Sequence, residues 1–98
     1  MAFKIEWSIK ARLDRKEIFT YWNNRNKSNI YSCKLNILFE THIEALLKFP
    51  LIGKPTDYYQ VRFLIVKDYL IFYKVEKQII SIIRIWDSRR NPNQLKVF

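Results

Sequence analysis

Tyr31-Ser32-Cys33-Lys34-Leu35-Asn36-Ile37-Leu38-Phe39-Glu40-Thr41-His42-Ile43-Glu44-Ala45-Leu46-Leu47-Lys48-Phe49-Pro50 carries the cleanest hydropathy pattern in the chain. Tyr31, Leu35, Leu38, Phe39, His42, Leu46 and Phe49 recur at intervals of three and four. That spacing predicts a helix of about five turns with one buried stripe. Pro50 stops it, because proline has no N–H to donate and its ring crowds the preceding turn. Pro50-Leu51-Ile52-Gly53-Lys54-Pro55 then reads as a turn-rich loop.

A single buried stripe needs something to bury it. Upstream, Ser8 is a good N-cap, and Leu13, Ile18, Tyr21 and Trp22 fall roughly on one face between Ile9 and Arg25. Arg12, Arg15, Lys16 and Lys27 lie mostly off that face. The polar run Asn23 to Asn29 separates the two helices, which predicts an antiparallel helical hairpin. Before it, Phe3-Lys4-Ile5-Glu6-Trp7 alternates apolar and polar as a strand does. Downstream, Val61 to Ile65, Tyr69 to Val75 and Ile79 to Trp86 are rich in β-branched and aromatic residues, with short polar links between them. The expected fold is α+β, in the order β-α-α-β-β-β. A two-helix hairpin packs on a mostly antiparallel four-stranded sheet. Stretches apolar at consecutive positions imply that both sheet faces are partly covered, and the face away from the helices would want a partner.

The 98 residues make one domain, 1–98, with one core. No apolar run approaches the roughly 20 residues that span a bilayer. The N-terminal Met-Ala-Phe-Lys-Ile-Glu-Trp-Ser has no apolar core of a signal peptide, so a cytoplasmic protein without a membrane partner is the expectation. Cys33 is the only cysteine, His42 the only histidine and Gly53 the only glycine. These counts argue against a disulfide framework, a zinc site, a phosphate-binding glycine loop and a Ser/His/Asp triad. His42 reads as a core or rim residue of its helix, and neither a metal nor a cofactor is expected.

Lys and Arg total 18 against 9 acidic residues, giving a net charge of +9. The excess is spread over both halves and is not confined to a tail. A folded domain so charged favours polyanions: nucleic acid, ribosome or an acidic protein. Arg62 and Arg84 lie inside apolar runs, and each needs a carboxylate, for which Asp68 and Asp87 are candidates, or an opening onto a groove. With Arg89, Arg90, Lys54 and Lys67 they form the candidate nucleic-acid-binding set, in which guanidiniums would hold phosphates bidentately. Tyr69 and Tyr73 are candidates for stacking on bases.

Several stretches together resemble the RelE/ParE superfamily of toxins from type II toxin–antitoxin systems. They are Glu6-Trp7-Ser8, the Ile18, Tyr21, Trp22 helix ending, and Phe49-Pro50-Leu51-Ile52-Gly53. Val61-Arg62 with Lys67 to Tyr73, and Ile85-Trp86-Asp87-Ser88-Arg89-Arg90-Asn91-Pro92, complete the set. The resemblance implies a toxin held by a cognate, acidic antitoxin across its sheet and helix surface. In the nuclease branch it implies ribosome-dependent mRNA cleavage, with Arg62, Arg89 and Arg90 as catalytic candidates that stabilise charge on phosphorus. That is the first expectation. The alternatives are a gyrase-directed poison without nuclease activity and a degenerate toxin that only binds its antitoxin. The chain departs from the nuclease pattern in carrying Leu70 where an arginine usually follows the hairpin tyrosine. It also has neither histidine nor tyrosine after Arg90.

Overall fold

The computed structural model describes residues 2–90, 94 and 95. Asn91 and Pro92 of the closing motif lie outside them. β1 (Lys4–Trp7) leads into α1 (Ile9–Asn26) and α2 (Ile30–Ala45). There follow β2 (Lys54–Pro55), β3 (Val61–Val66), β4 (Tyr69–Glu76) and β5 (Ile79–Asp87). The sheet order is β1-β5-β4-β3-β2. Only β1 and β5 run parallel; the other neighbours are antiparallel. The sheet therefore has five strands where four were expected. The extra one is β2, two residues opposite Phe63 and Arg62. It is too short to show a period of two, and its proline reads as a loop signal. At a sheet edge the missing N–H of Pro55 is tolerated.

Ser8 starts α1 as expected: its hydroxyl accepts from the Ala11 N–H at 3.0 Å and donates to the Ile83 carbonyl at 2.9 Å. The buried face differs from the predicted one. Ala11 is fully buried, and Ile18, Phe19 and Trp22 pack on the core, whereas Leu13 and Tyr21 are 55 % and 53 % exposed. Alanine carries little hydropathy weight, so the residue that centres the face was invisible to the pattern. In α2 the buried stripe is Ser32, Leu35, Phe39 and Ile43, continued by Leu46. His42 and Phe49 lie outside it, exposed. The His42 ring Nδ1 sits 2.8 Å from the Leu38 carbonyl of its own helix.

The main core lies between the hairpin and the sheet, around Leu35, Phe39, Ile71, Tyr73, Ile80 and Ile82. A smaller cluster forms on the far face from Val61, Phe72 and Trp86, with Phe63, Leu70, Ile83 and Leu95 packed against it. The far face is thus partly closed by the chain itself, through Leu95, while Ile65 remains 53 % exposed. A register shift at Phe72/Tyr73, opposite Ile83, separates the two halves of β5. Below it β5 pairs with β1; above it α1 takes over the edge. No helix among the described residues is long and apolar enough to cross a membrane.

Candidate functional site

The six cations singled out in the sequence fall into three places. Arg62 and Lys54 are at the β2 edge. Arg62 Nη1 donates to the Gly53 carbonyl at 2.9 Å, and Lys54 is exposed beside it. Arg84 turns to α1: its Nε and Nη2 donate to the two Asp14 oxygens at 2.8 and 3.0 Å. Asp14 also accepts from the Ile85 N–H at 3.0 Å. One carboxylate thus pairs with the arginine and caps the strand edge that β1 leaves open. Hydrogen bonding to Asp14 raises the Arg84 pKa against the opposing effect of burial. Neither Asp68 nor Asp87, the expected partners, pairs with Arg62 or Arg84; both face Arg89 instead.

The third place holds Arg89 and Arg90, with Lys67 in the neighbouring β3–β4 turn. Arg62 stands opposite Tyr73 and Asp87 opposite Tyr69, two strands away. Strand geometry puts these backbones about 16 Å apart. Arg62 is held by the Gly53 carbonyl and Arg89 by Asp87, so the two guanidiniums have separate partners in this structure.

Around Arg89 and Arg90 is a cleft of about 390 Å³ lined by Glu17, Ile18, Tyr21, Tyr69 and Asp87. Arg89 donates to Asp87 through Nε at 3.0 Å and Nη2 at 2.9 Å, and its backbone N–H reaches the same carboxylate at 2.9 Å. Those bonds hold the Asp87 pKa below the ordinary carboxylate range and push that of Arg89 up. The Arg89 guanidinium also lies 5.9 Å from the Trp22 ring centroid. Trp22 Nε1 donates to the Tyr69 hydroxyl at 2.8 Å, which leaves the hydroxyl proton available. Burial raises the Tyr69 pKa. Arg90 stacks 4.8 Å from the Trp86 ring centroid and has no carboxylate partner among the described residues. The cleft is therefore balanced, with two carboxylates and two guanidiniums along its walls.

A family model described as "ParE toxin of type II toxin-antitoxin system, parDE" matches residues 5–92. The chain belongs to the ParE toxin family. It is thus a RelE/ParE-superfamily toxin, and such systems pair the ParE toxin with an antitoxin. Among solved structures it is similar to one described as "Chromosomal ParDE TA system from P. aeruginosa". That likeness has a TM-score of 0.72 at 20 % identity, covers 85 % of this chain and 92 % of the other, and speaks for the fold. No curated protein matches by sequence.

Two features of this ParE cleft were missed in the sequence. Glu17 sits in a charged stretch of α1 like any solvated acid, with nothing to mark it. Tyr21 was read as a buried stripe residue. Centring the helix on Ala11 and Ile18 would have turned it outward, toward β4 and β5. Among the described residues no group of three or more His, Cys, Asp or Glu could hold a metal ion.

Proposed function

We propose that this ParE-family toxin arrests growth by binding a type II topoisomerase, DNA gyrase, through the face that carries the Arg89–Arg90 cleft, without cutting RNA. The observation that supports this is the charge balance of the cleft. A site that stabilises a phosphorane needs cations free to meet the developing charge. Arg89 is already engaged by Asp87 through two side-chain hydrogen bonds, and Glu17 adds a further negative charge to the wall. Leu70, at the position where nuclease relatives carry arginine, lies opposite Trp86 and packs into the far-face cluster. It offers nothing to a phosphate. A mixed-charge, aromatic-lined cleft suits a protein surface, where an arginine stacked on tryptophan makes a strong anchor. The +9 charge then serves encounter with a DNA-bound enzyme.

The test is inducible expression in bacteria with two readouts, transcript cleavage and gyrase supercoiling by the purified chain. Growth arrest with supercoiling inhibited and transcripts intact is expected. Arg90→Ala should remove both effects while leaving the melting temperature within a few degrees, because an exposed cation–π contact is worth only about 0.5–1 kcal/mol. Ribosome-dependent cuts in mRNA that vanish on Arg89→Ala/Arg90→Ala would overturn the gyrase reading in favour of nuclease activity.

A further inference from the structure

Among the described residues the outer edge of β1 is open. β1 ends the sheet, with β5 as its one neighbour there. Lys4 and Ser8 turn their N–H groups toward β5, donating to the Gln78 and Ile82 carbonyls at 2.9 Å each. Backbone polar groups alternate sides along a strand, so those of Phe3, Ile5 and Trp7 point away from β5. Such a row of N–H and C=O groups is a template for another strand. The side chains alternate as well. Phe3, Ile5 and Trp7 pack against the main core, on the helix side of the sheet. Lys4 and Glu6 are exposed on the other face, with side chains 75 % and 51 % accessible.

Paired antiparallel to itself about Ile5, this strand is its own complement. Ile5 meets Ile5 of a second copy, Phe3 meets Trp7 and Lys4 meets Glu6. The residues whose backbones face outward then fall opposite one another, as the hydrogen-bonded pairs of an antiparallel ladder must, for about six hydrogen bonds. Lys4 and Glu6 fall at the non-hydrogen-bonded positions, where side chains come closest, and each lysine faces a glutamate. Slipping the register by two residues would set Lys4 against Lys4 or Glu6 against Glu6, so charge fixes the alignment. On the helix side, Phe3 of the second copy arrives beside Trp7. A valley of about 280 Å³, lined by Ile5, Trp7, Arg15, Glu40, Ile43 and Glu44, is there to receive its ring.

We propose that the free toxin forms a symmetric dimer through β1, with a second copy of this chain completing the sheet edge. An unrelated strand would meet the same backbone groups. A copy of this one also brings a glutamate to Lys4, a lysine to Glu6 and a ring to the valley, all in register. The two-fold pairing doubles the five-stranded sheet and stops there. The remaining outer edge of each copy is β2, two residues long, and its Pro55 has no N–H to continue a ladder. The Arg89–Arg90 cleft lies beyond Asp87, about 20 Å along β5 from the axis at Ile5 and Ile80, and stays open in the dimer. The inference therefore does not rest on the gyrase reading.

The test is sedimentation equilibrium of the purified full chain in about 0.15 M salt, where the +9 charge of each copy is screened beyond about 8 Å. A reversible monomer–dimer equilibrium is expected with a Kd on the order of 10–100 µM, since a short strand pair is a small interface. Lys4→Glu and Glu6→Lys each set like charges opposite one another and should weaken the dimer about tenfold or more. Circular dichroism should be unchanged, because both side chains are exposed. Mixing the two variants should restore association, since every glutamate of one then faces a lysine of the other. Lys4→Glu/Glu6→Lys in a single chain should restore it too. A chain that stays monomeric up to about 300 µM overturns the proposal. So does a dimer that both single variants leave within about threefold in affinity, which would place the interface elsewhere. A monomer whose Lys4→Glu variant loses affinity for the antitoxin also overturns it, giving the edge to an antitoxin strand. Gyrase inhibition should survive both single variants, so either proposal can fail alone.

Discussion

Gly53 is clamped from both sides by neighbouring strand residues. Its N–H donates to the Tyr73 hydroxyl at 2.8 Å, and its carbonyl accepts from Arg62. A Cβ there would lie 2.5 Å from the Tyr73 oxygen and 2.9 Å from the Phe63 carbonyl. Gly53→Ala should therefore destabilise by about 1–3 kcal/mol in denaturant unfolding, because the core must shift to admit the methyl group. Asp14 carries comparable weight. Its ion pair with Arg84 is largely shielded, with side chains 13 % and 17 % exposed. Asp14→Ala removes two hydrogen bonds from the shielded guanidinium and leaves the Ile85 N–H without its carboxylate acceptor, and a loss of about 1–3 kcal/mol is expected by the same measurement. Asp87 predicts a pH dependence. Its pKa is lowered in the folded state, so the stability it contributes is present above the unfolded value of about 3.9 and is lost as pH falls through the folded one. Unfolding curves from pH 6 down to 2 should show the unaltered chain losing this increment. Asp87→Asn should be flatter over the same window.

The β4–β5 connection is decided at the level of the element. Glu76 pairs with Ile79, so only Lys77 and Gln78 make the turn, and both have positive φ, 50° and 69°. A two-residue hairpin with this backbone prefers Asn-Gly, since Gly has no Cβ to clash at positive φ and the short polar side chain of Asn tolerates it. Lys77→Asn/Gln78→Gly should stabilise by about 1 kcal/mol, read as a rise in melting temperature. Ser8 joins two elements at once, capping α1 and holding the Ile83 carbonyl exposed at the register shift. The hand-over of the β5 edge from β1 to α1 runs through this residue and Asp14.

At the scale of the molecule, the sheet buries apolar side chains on both faces, and among the described residues α1 and α2 cover only one of them. Leu95 closes the other against Val61, Phe72 and Trp86. Leu95→Asp should expose that cluster, and added fluorescence from a hydrophobic dye would report it. An unchanged dye signal would show that Leu95 does not close the face. The charge excess is likewise a property of the whole, since its best-formed arginine contacts, Arg84 with Asp14 and Arg89 with Asp87, are internal.

The sequence by itself determined the element order, the helical hairpin, the three long strands and the family. The first three rest on local periodicity, capping or turn chemistry, which are properties of neighbouring residues; the family rests on the motifs that resemble it. It did not reveal β2, two residues being too few to show a period. It misplaced the buried faces of α1 and α2 by a fraction of a turn, because Ala11 and Ser32 bury without hydropathy to announce it. The tertiary structure alone decided where the arginines go. Arg84 finds Asp14 seventy positions away and Arg62 finds a backbone carbonyl. Partner choice for a charge depends on which elements the fold brings side by side, and no spacing along the chain encodes that.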